Sequence, residues 1–465
     1  MPINEKRTDE MGRVLKRAGL ALLLLSILYV LAVQVLRWSL VGEQERAALA
    51  LLTAADPPQS GVGGYKYFGL AHLRIPREEL DAALEEDVVA YRRWLDDLPG
   101  TILASDADAI DDIQYVSPLD ARYPPQSDWR PIEPVCGLGE WNCLRKLRDD
   151  SSAARELLRA NQEALALMLA AFEADHLESP YPLSAHMPFG PYRYYALPLN
   201  AFTIQALDGD VPGALAAACR TLAAERRFLG QHGMLIDVMV QSAATLGMAG
   251  LVLELRRNHP EVPWPEECAM ARAPIQAKDY ALCPTLKKEF QFITTTQDRI
   301  EAERARRWRP DQLARRLLLE DAELAKAWVA MGAAPYCTEA GQLELRAGRL
   351  PAASPPPGRP WVSLAFWSAP WTHSEVTTEP PTWDFYQERL LDQAAILRLQ
   401  LAAMAAYAGE LPVEDVARVG ASAGYEISSR CSEWVLPLRR PSNEDRSEYR
   451  VARPGPACDR DSPAP

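Results

Sequence analysis

The chain has 465 residues, of which 48% are hydrophobic and 24% charged, and its formal net charge is −13. That apolar fraction excludes wholesale disorder and, at this length, supplies one large or two ordinary domains. The acidic balance argues against nucleic acid as a partner, because nucleic-acid binding relies on phosphate neutralisation by Lys and Arg, and against broad adhesion to anionic lipid.

The first element in chain order is Ala18 to Leu36, AGLALLLLSILYVLAVQVL, which carries no charge. At the helical rise it spans roughly 28 Å, about the thickness of a bilayer's hydrocarbon core. Arg13, Lys16 and Arg17 precede it, and Arg37 and Trp38 follow. The basic side of a membrane span stays in the cytoplasm, and Trp favours the interface. A cleaved signal peptide would have a shorter apolar core and small residues at the cleavage point. The expectation is a cytoplasmic segment 1–17, an uncleaved signal anchor at 18–38 and a large domain outside. The richness in Ala, Arg and Pro suits a bacterial genome of high GC content, and in a Gram-negative envelope the outside compartment is the periplasm.

Residues 39–55 continue as an amphipathic helix, which Pro57-Pro58 ends. GVGGYKYFGL (61–70) lacks the Gly-Lys-Ser/Thr of a phosphate loop and reads as a loop leading into a short extended piece. Pro76 opens a helix to about Leu98, where Leu80, Leu84, Val88, Tyr91 and Leu95 form a buried face. Residues 99–149 are broken by prolines and read as irregular. Helices follow at about 151–175 and 197–207. Pro212 then starts a helix with apolar Leu215, Cys219, Leu222 and Leu229, and Gly230 and Gly233 turn it into a partner at 234–257. Two amphipathic helices joined by a short glycine turn make an antiparallel hairpin. Further helices are expected at 285–307, 311–331 and 382–409, with PAASPPPGRP breaking the chain before the last. Extended pieces at Tyr425–Ser428 and Trp434–Leu438 are expected to pair as a small sheet. The fold class is all-α: a transmembrane helix, a multi-helix domain of antiparallel hairpins (39–350), a Pro/Trp-rich connector (351–381), a C-terminal helix with a small β element (382–452) and a flexible tail (453–465).

All eight cysteines lie beyond the anchor, where an oxidising compartment permits disulfides. Cys136 with Cys143, and Cys268 with Cys283, each bracket a loop, and these are the expected pairs, with Cys431–Cys458 a third. Cys219, on an apolar helix seam, is expected to stay reduced unless Cys337 packs against it. None of the cysteines forms a CxxC pair and no histidine stands at zinc spacing, so no metal or other cofactor is expected. The acidic clusters Glu85-Glu86-Asp87 and Asp111-Asp112 read as solvated surface.

Nucleophile elbow, HExxH, P-loop and dinucleotide patterns are all missing, so no catalytic residue is assigned. His72, His176, His186, His232, His259 and His373 are scattered, and any site would have to be assembled by tertiary structure. The aromatic run Trp361, Phe366, Trp367 and Trp371 is either an interaction loop or a plug over the helical core.

The anchor, the segment GDVPGALAAACRTLAAERRFLGQHGMLIDVMV (208–240) and CPTLKKEF (283–290) carry a resemblance. In them the chain resembles a group of proteobacterial single-pass proteins with helical exteriors, and the resemblance implies no activity. The expected function is a periplasmic helical protein of the inner membrane that binds an envelope protein. An envelope hydrolase, and an immunity protein or secretion chaperone, are the rival expectations.

Overall fold

A helix of about twenty residues that is apolar on every side is long enough to cross a bilayer. The first helix, Glu5–Leu40, is of this kind: over Leu15–Leu36 its mean hydropathy is 2.5, and Leu22 to Leu25, Leu28 and Leu31 all stand exposed. In that span the Ser26 hydroxyl is satisfied locally, donating to the Leu22 carbonyl at 2.9 Å. The computed structural model describes residues 5–56, 59–97, 114–126, 135–184, 186–231, 233–306, 321–352, 383–421, 425–430, 433–439 and 447–454. Among these, ten helices exceed ten residues: α1 (Glu5–Leu40), α2 (Glu43–Thr53), α3 (Leu80–Asp97), α4 (Gln162–Phe172), α5 (Ala196–Leu207), α6 (Val211–Phe228), α7 (Leu235–Asn258), α8 (Cys283–Arg306), α9 (Ala322–Ala333) and α10 (Trp383–Tyr407). Shorter helices and one small sheet complete an all-α architecture.

The sequence's hairpin is the centre of the fold. Asp210 caps α6 by accepting from the Gly213 amide at 3.0 Å, with Pro212 in the first turn. After α6, Gly230 (φ 74°) takes the left-handed conformation that turns the chain towards α7. Helix α7 is long and apolar enough to cross a membrane, yet it is mostly buried, packed among α5, α6 and α10. It is the core helix of the domain.

Two cores lie along α7. The larger runs from Tyr65 to Val451 and takes in α3 to α7, α10 and the sheet. The smaller gathers Leu52 of α2, Val238 of α7, Phe290 of α8, Ala330 of α9, Tyr336 and Trp383. Only Val41 and Gly42 separate α1 from α2, and Val41 packs with Leu324 and Trp328. The apolar helix is thus joined almost directly to the smaller core.

Several elements differ from the sequence reading. The helix expected at 151–175 is two, Ser152–Ala160 and α4, because the Asn161 side chain donates to the Leu157 carbonyl at 2.9 Å and competes with the backbone there. GVGGYKYFGL contains a helical turn, Tyr65–Gly69, whose Tyr65 and Phe68 are buried. Short helices Pro118–Arg122 and Cys143–Arg148 lie in the segment read as irregular. Helix α9 covers the described part of the element expected at 311–331, and an additional helix, Glu339–Arg346, follows it. The sheet is antiparallel with order β1 (Ser428–Arg430), β2 (Glu433–Pro437) and β3 (Glu448–Ala452). Its third strand pairs Trp434 with Val451 and Leu436 with Tyr449.

Cysteine pairing is corrected in two expectations, the Cys268–Cys283 bond and the reduced state of Cys219. Cys136 is bonded to Cys143, with Cα atoms 5.7 Å apart. Cys268 and Cys283 are not bonded to each other. Cys268 is bonded to Cys219 (Cα–Cα 4.8 Å), and Cys283 to Cys337 (4.9 Å). The short helix Glu267–Ala271 lies against α6, so Cys268 faces the α6 seam, and Cys219 is oxidised. Cys431 and Cys458 lie outside the described residues.

Candidate functional site

The Cys136–Cys143 loop sits on α7, and it does so because α7 offers no side chains in its path. A Cβ on Gly250 would come within 2.7 Å of Trp141, and one on Gly247 within 3.3 Å of the Gly139 amide. Gly139 itself turns with φ 74°. Polar groups complete the attachment. Asn200 of α5, fully buried, accepts from the Cys136 amide and donates to the Cys136 carbonyl, both at 2.9 Å. Glu254 of α7 accepts from the Leu144 amide at 2.8 Å and the Arg145 amide at 2.9 Å. Burial outweighs these bonds and raises the Glu254 pKa above the ordinary carboxylate value.

The other wall comes from α10 and β3. Gln400 donates to the Leu246 carbonyl at 3.1 Å and to the Tyr449 hydroxyl at 2.6 Å, which sets β3 against α7. Between the loop and the strand opens a cleft of about 490 Å³, counted with its mouth. Trp141, Tyr407 and Tyr449 supply its aromatic surfaces, Trp141 meeting Tyr449 edge-on at 5.7 Å. Arg145, Arg257 and Arg450 stand exposed around it. On an acidic chain this is a local convergence of cations on aromatic walls, an arrangement that attracts an anionic group attached to an apolar one.

A second, more polar pocket lies near the start of α7, lined among others by Tyr65, Glu178, Gln231, Asp237, Gln241 and Lys288. Asp237 accepts from the Tyr192 hydroxyl at 2.6 Å and the Met234 amide at 2.8 Å, yet burial raises its pKa. Burial likewise raises Glu289, which accepts from the Leu235 amide at 2.7 Å. Lys288 and Glu178 pair at 2.7 Å. Burial drives the Glu225 pKa well above its usual value, and among the described residues neither of its carboxyl oxygens has a hydrogen-bond partner.

Among the described residues, the sequence's candidate residues are not brought together. Trp361, Phe366, Trp367 and Trp371 lie outside the described residues, as do His232, His373 and Asp111-Asp112. His72 stands 3.9 Å from Asp120 with its pKa lowered by burial, and His259 stands 3.4 Å from Glu261 at the end of α7. Among the described residues no cluster of three or more His, Cys, Asp or Glu could hold a metal ion. The cleft residues escaped sequence reading because they are spread from 141 to 452 without a local spacing. The one available signal was the Trp inside GLGEWN, presented by the shortest cysteine loop.

The fold and cleft define a class: an all-helical protein with an exposed apolar N-terminal helix and a disulfide-pinned domain carrying an arginine-rimmed cleft. No protein-family model, curated protein or solved structure matches the chain.

Proposed function

We propose that the protein is a single-pass inner-membrane protein whose helical domain lies in the periplasm and acts by binding an envelope protein partner. The apolar helix Leu15–Leu36 supports the anchor, and Lys16 and Arg17 on its N-terminal side favour a cytoplasmic N-terminus. Three disulfides fit an oxidising compartment. The observation that carries the binding role is the exposed, arginine-rimmed cleft, whose loop is pinned by the Cys136–Cys143 bond. Rigid aromatic and arginine groups are the residues that dominate binding energy at protein interfaces.

The geometry also fits a partner in the periplasm. Val238 belongs to the core next to the anchor, and Glu254 lies sixteen residues further along α7, roughly 24 Å away at the helical rise. The cleft therefore stands clear of the anchor's point of attachment. A hydrolase reading draws on Asp237, which lines the second pocket, and on Glu289, which feels its charge from outside that lining; burial raises the pKa of both.

Crosslinking in native cells, followed by detergent purification of the full chain, tests the binding role. The wild type is expected to retain a defined partner that Arg257→Glu with Arg145→Glu loses at least tenfold, with unchanged circular dichroism. Equal recovery by both proteins, or no partner with the wild type, would contradict it.

A further inference from the structure

We infer that the cleft recognises the C-terminal carboxylate of its partner together with the apolar side chain of the last residue. The inference rests on the binding role proposed above and names the ligand chemistry of that same site.

The three arginines are not equivalent. Arg450 is already engaged, 3.1 Å from Glu448 and 3.5 Å from Glu433. Arg145 lies beside Asn142, whose side-chain oxygen accepts from its guanidinium at 2.6 Å in the amide orientation that satisfies both neighbours. Arg257 acts on Glu254 through space and, among the described residues, forms no ion pair. One guanidinium at the end of α7 is thus available to a ligand, with Arg145 as its neighbour. A guanidinium matches the planar, two-oxygen face of a carboxylate. A phosphate dianion fits less well, because the Glu254 carboxyl shares the lining with Arg145 and Arg257 and opposes a growing negative charge.

The aromatic walls select what the carboxylate is attached to. Trp141, Tyr407 and Tyr449 surround the cationic end with apolar surface. An internal Asp or Glu side chain brings a carboxylate with no apolar group of its own. A C-terminal residue carries carboxylate and side chain on the same Cα, so both reach the cleft together. The opening is also flanked by β3, from Tyr449 to Ala452, along which the preceding residues of an extended chain can lie.

Isothermal titration of the detergent-solubilised full chain provides the test. The probes are the acetylated tetrapeptide Ala-Ala-Leu-Phe as free acid, the same peptide as C-terminal amide, phenylacetate and inorganic phosphate. The free acid is expected to bind at least tenfold more tightly than the amide, phenylacetate or phosphate. Arg257→Gln is expected to weaken the free acid at least tenfold, and Arg220→Gln, an exposed arginine paired with Glu267, to leave it unchanged. Equal affinity for acid and amide overturns the inference, as does an unaffected Arg257→Gln. Phenylacetate binding as tightly as the peptide would make the ligand a small acid, and tighter phosphate binding would make it a phosphate; either outcome overturns the peptide terminus. If no probe binds while Arg257→Glu with Arg145→Glu still releases the crosslinked partner, the carboxylate inference falls and the binding role stands. If the acid binds as expected but no partner is captured, the reverse holds.

Discussion

Replacing Cys219 and Cys268 together with alanine is expected to destabilise the folded protein by about 4 kcal/mol, the magnitude that loop-closure entropy assigns to a loop of this length. The bond joins positions 49 residues apart, linking α6 to the short helix Glu267–Ala271. Both sulfurs are fully buried, so solvent cannot fill the space that truncation leaves. Arg226 holds the same segment independently, donating to the Ala271 carbonyl at 2.6 Å and the Pro274 carbonyl at 3.3 Å. The segment should therefore stay near α6 in the variant while the whole domain unfolds at lower urea. Removing Cys136 and Cys143 instead should cost about 2.5 kcal/mol, since that loop closes over a separation of only 7. Urea unfolding followed by circular dichroism ranks the two. A smaller loss for the 219/268 pair than for the 136/143 pair would contradict the placement of the longer bond.

The second large effect is expected at Asp87. This residue is 3% exposed and accepts three hydroxyls: Tyr115 at 2.8 Å, Ser117 at 2.5 Å and Tyr181. The bonds tie two loop segments, around 115–117 and 181, to α3. Burial pushes the pKa of both tyrosines upward, so they remain donors at neutral pH. Asp87→Ala removes the acceptor of one buried and two half-buried hydroxyls, of which Tyr115 keeps only the Asp87 carbonyl at 3.1 Å, and is expected to cost about 3 kcal/mol. Asp87→Asn keeps one acceptor and should cost less than half of that. Glu86→Ala, one residue away, removes an exposed pair with Arg122 at 2.7 Å and should cost under about 1 kcal/mol. Thermal unfolding of the three variants measures the order; equal losses at 86 and 87 would contradict the buried network.

Asp87 also shows how far the sequence could be read. The run Leu80, Leu84, Val88, Tyr91 and Leu95 correctly marked the buried face of α3. The same period carries Asp87 onto that face, seven residues after Leu80, but its position among acids favoured a solvated reading. The uncharged apolar run exposed α1, and local periodicity exposed the α6–α7 hairpin and α10. Pairing across the chain was not legible, because Cys219 meets Cys268 through the way Glu267–Ala271 lies against α6. The cleft was hidden for the same reason. Trp141, Arg257, Tyr407 and Arg450 become neighbours only when the 136–143 loop crosses α7 at Gly250 and Gln400 draws Tyr449 in.

A photo-reactive amino acid placed in the cell at Leu253, which lines the cleft, tests the central claim most directly. A matched probe at Met270, exposed on the helix Glu267–Ala271 beyond the cleft lining, serves as reference. Irradiation is expected to join position 253, but not position 270, to a single envelope protein through that protein's C-terminal residues. Equal capture at both positions, or none at position 253, would contradict the account.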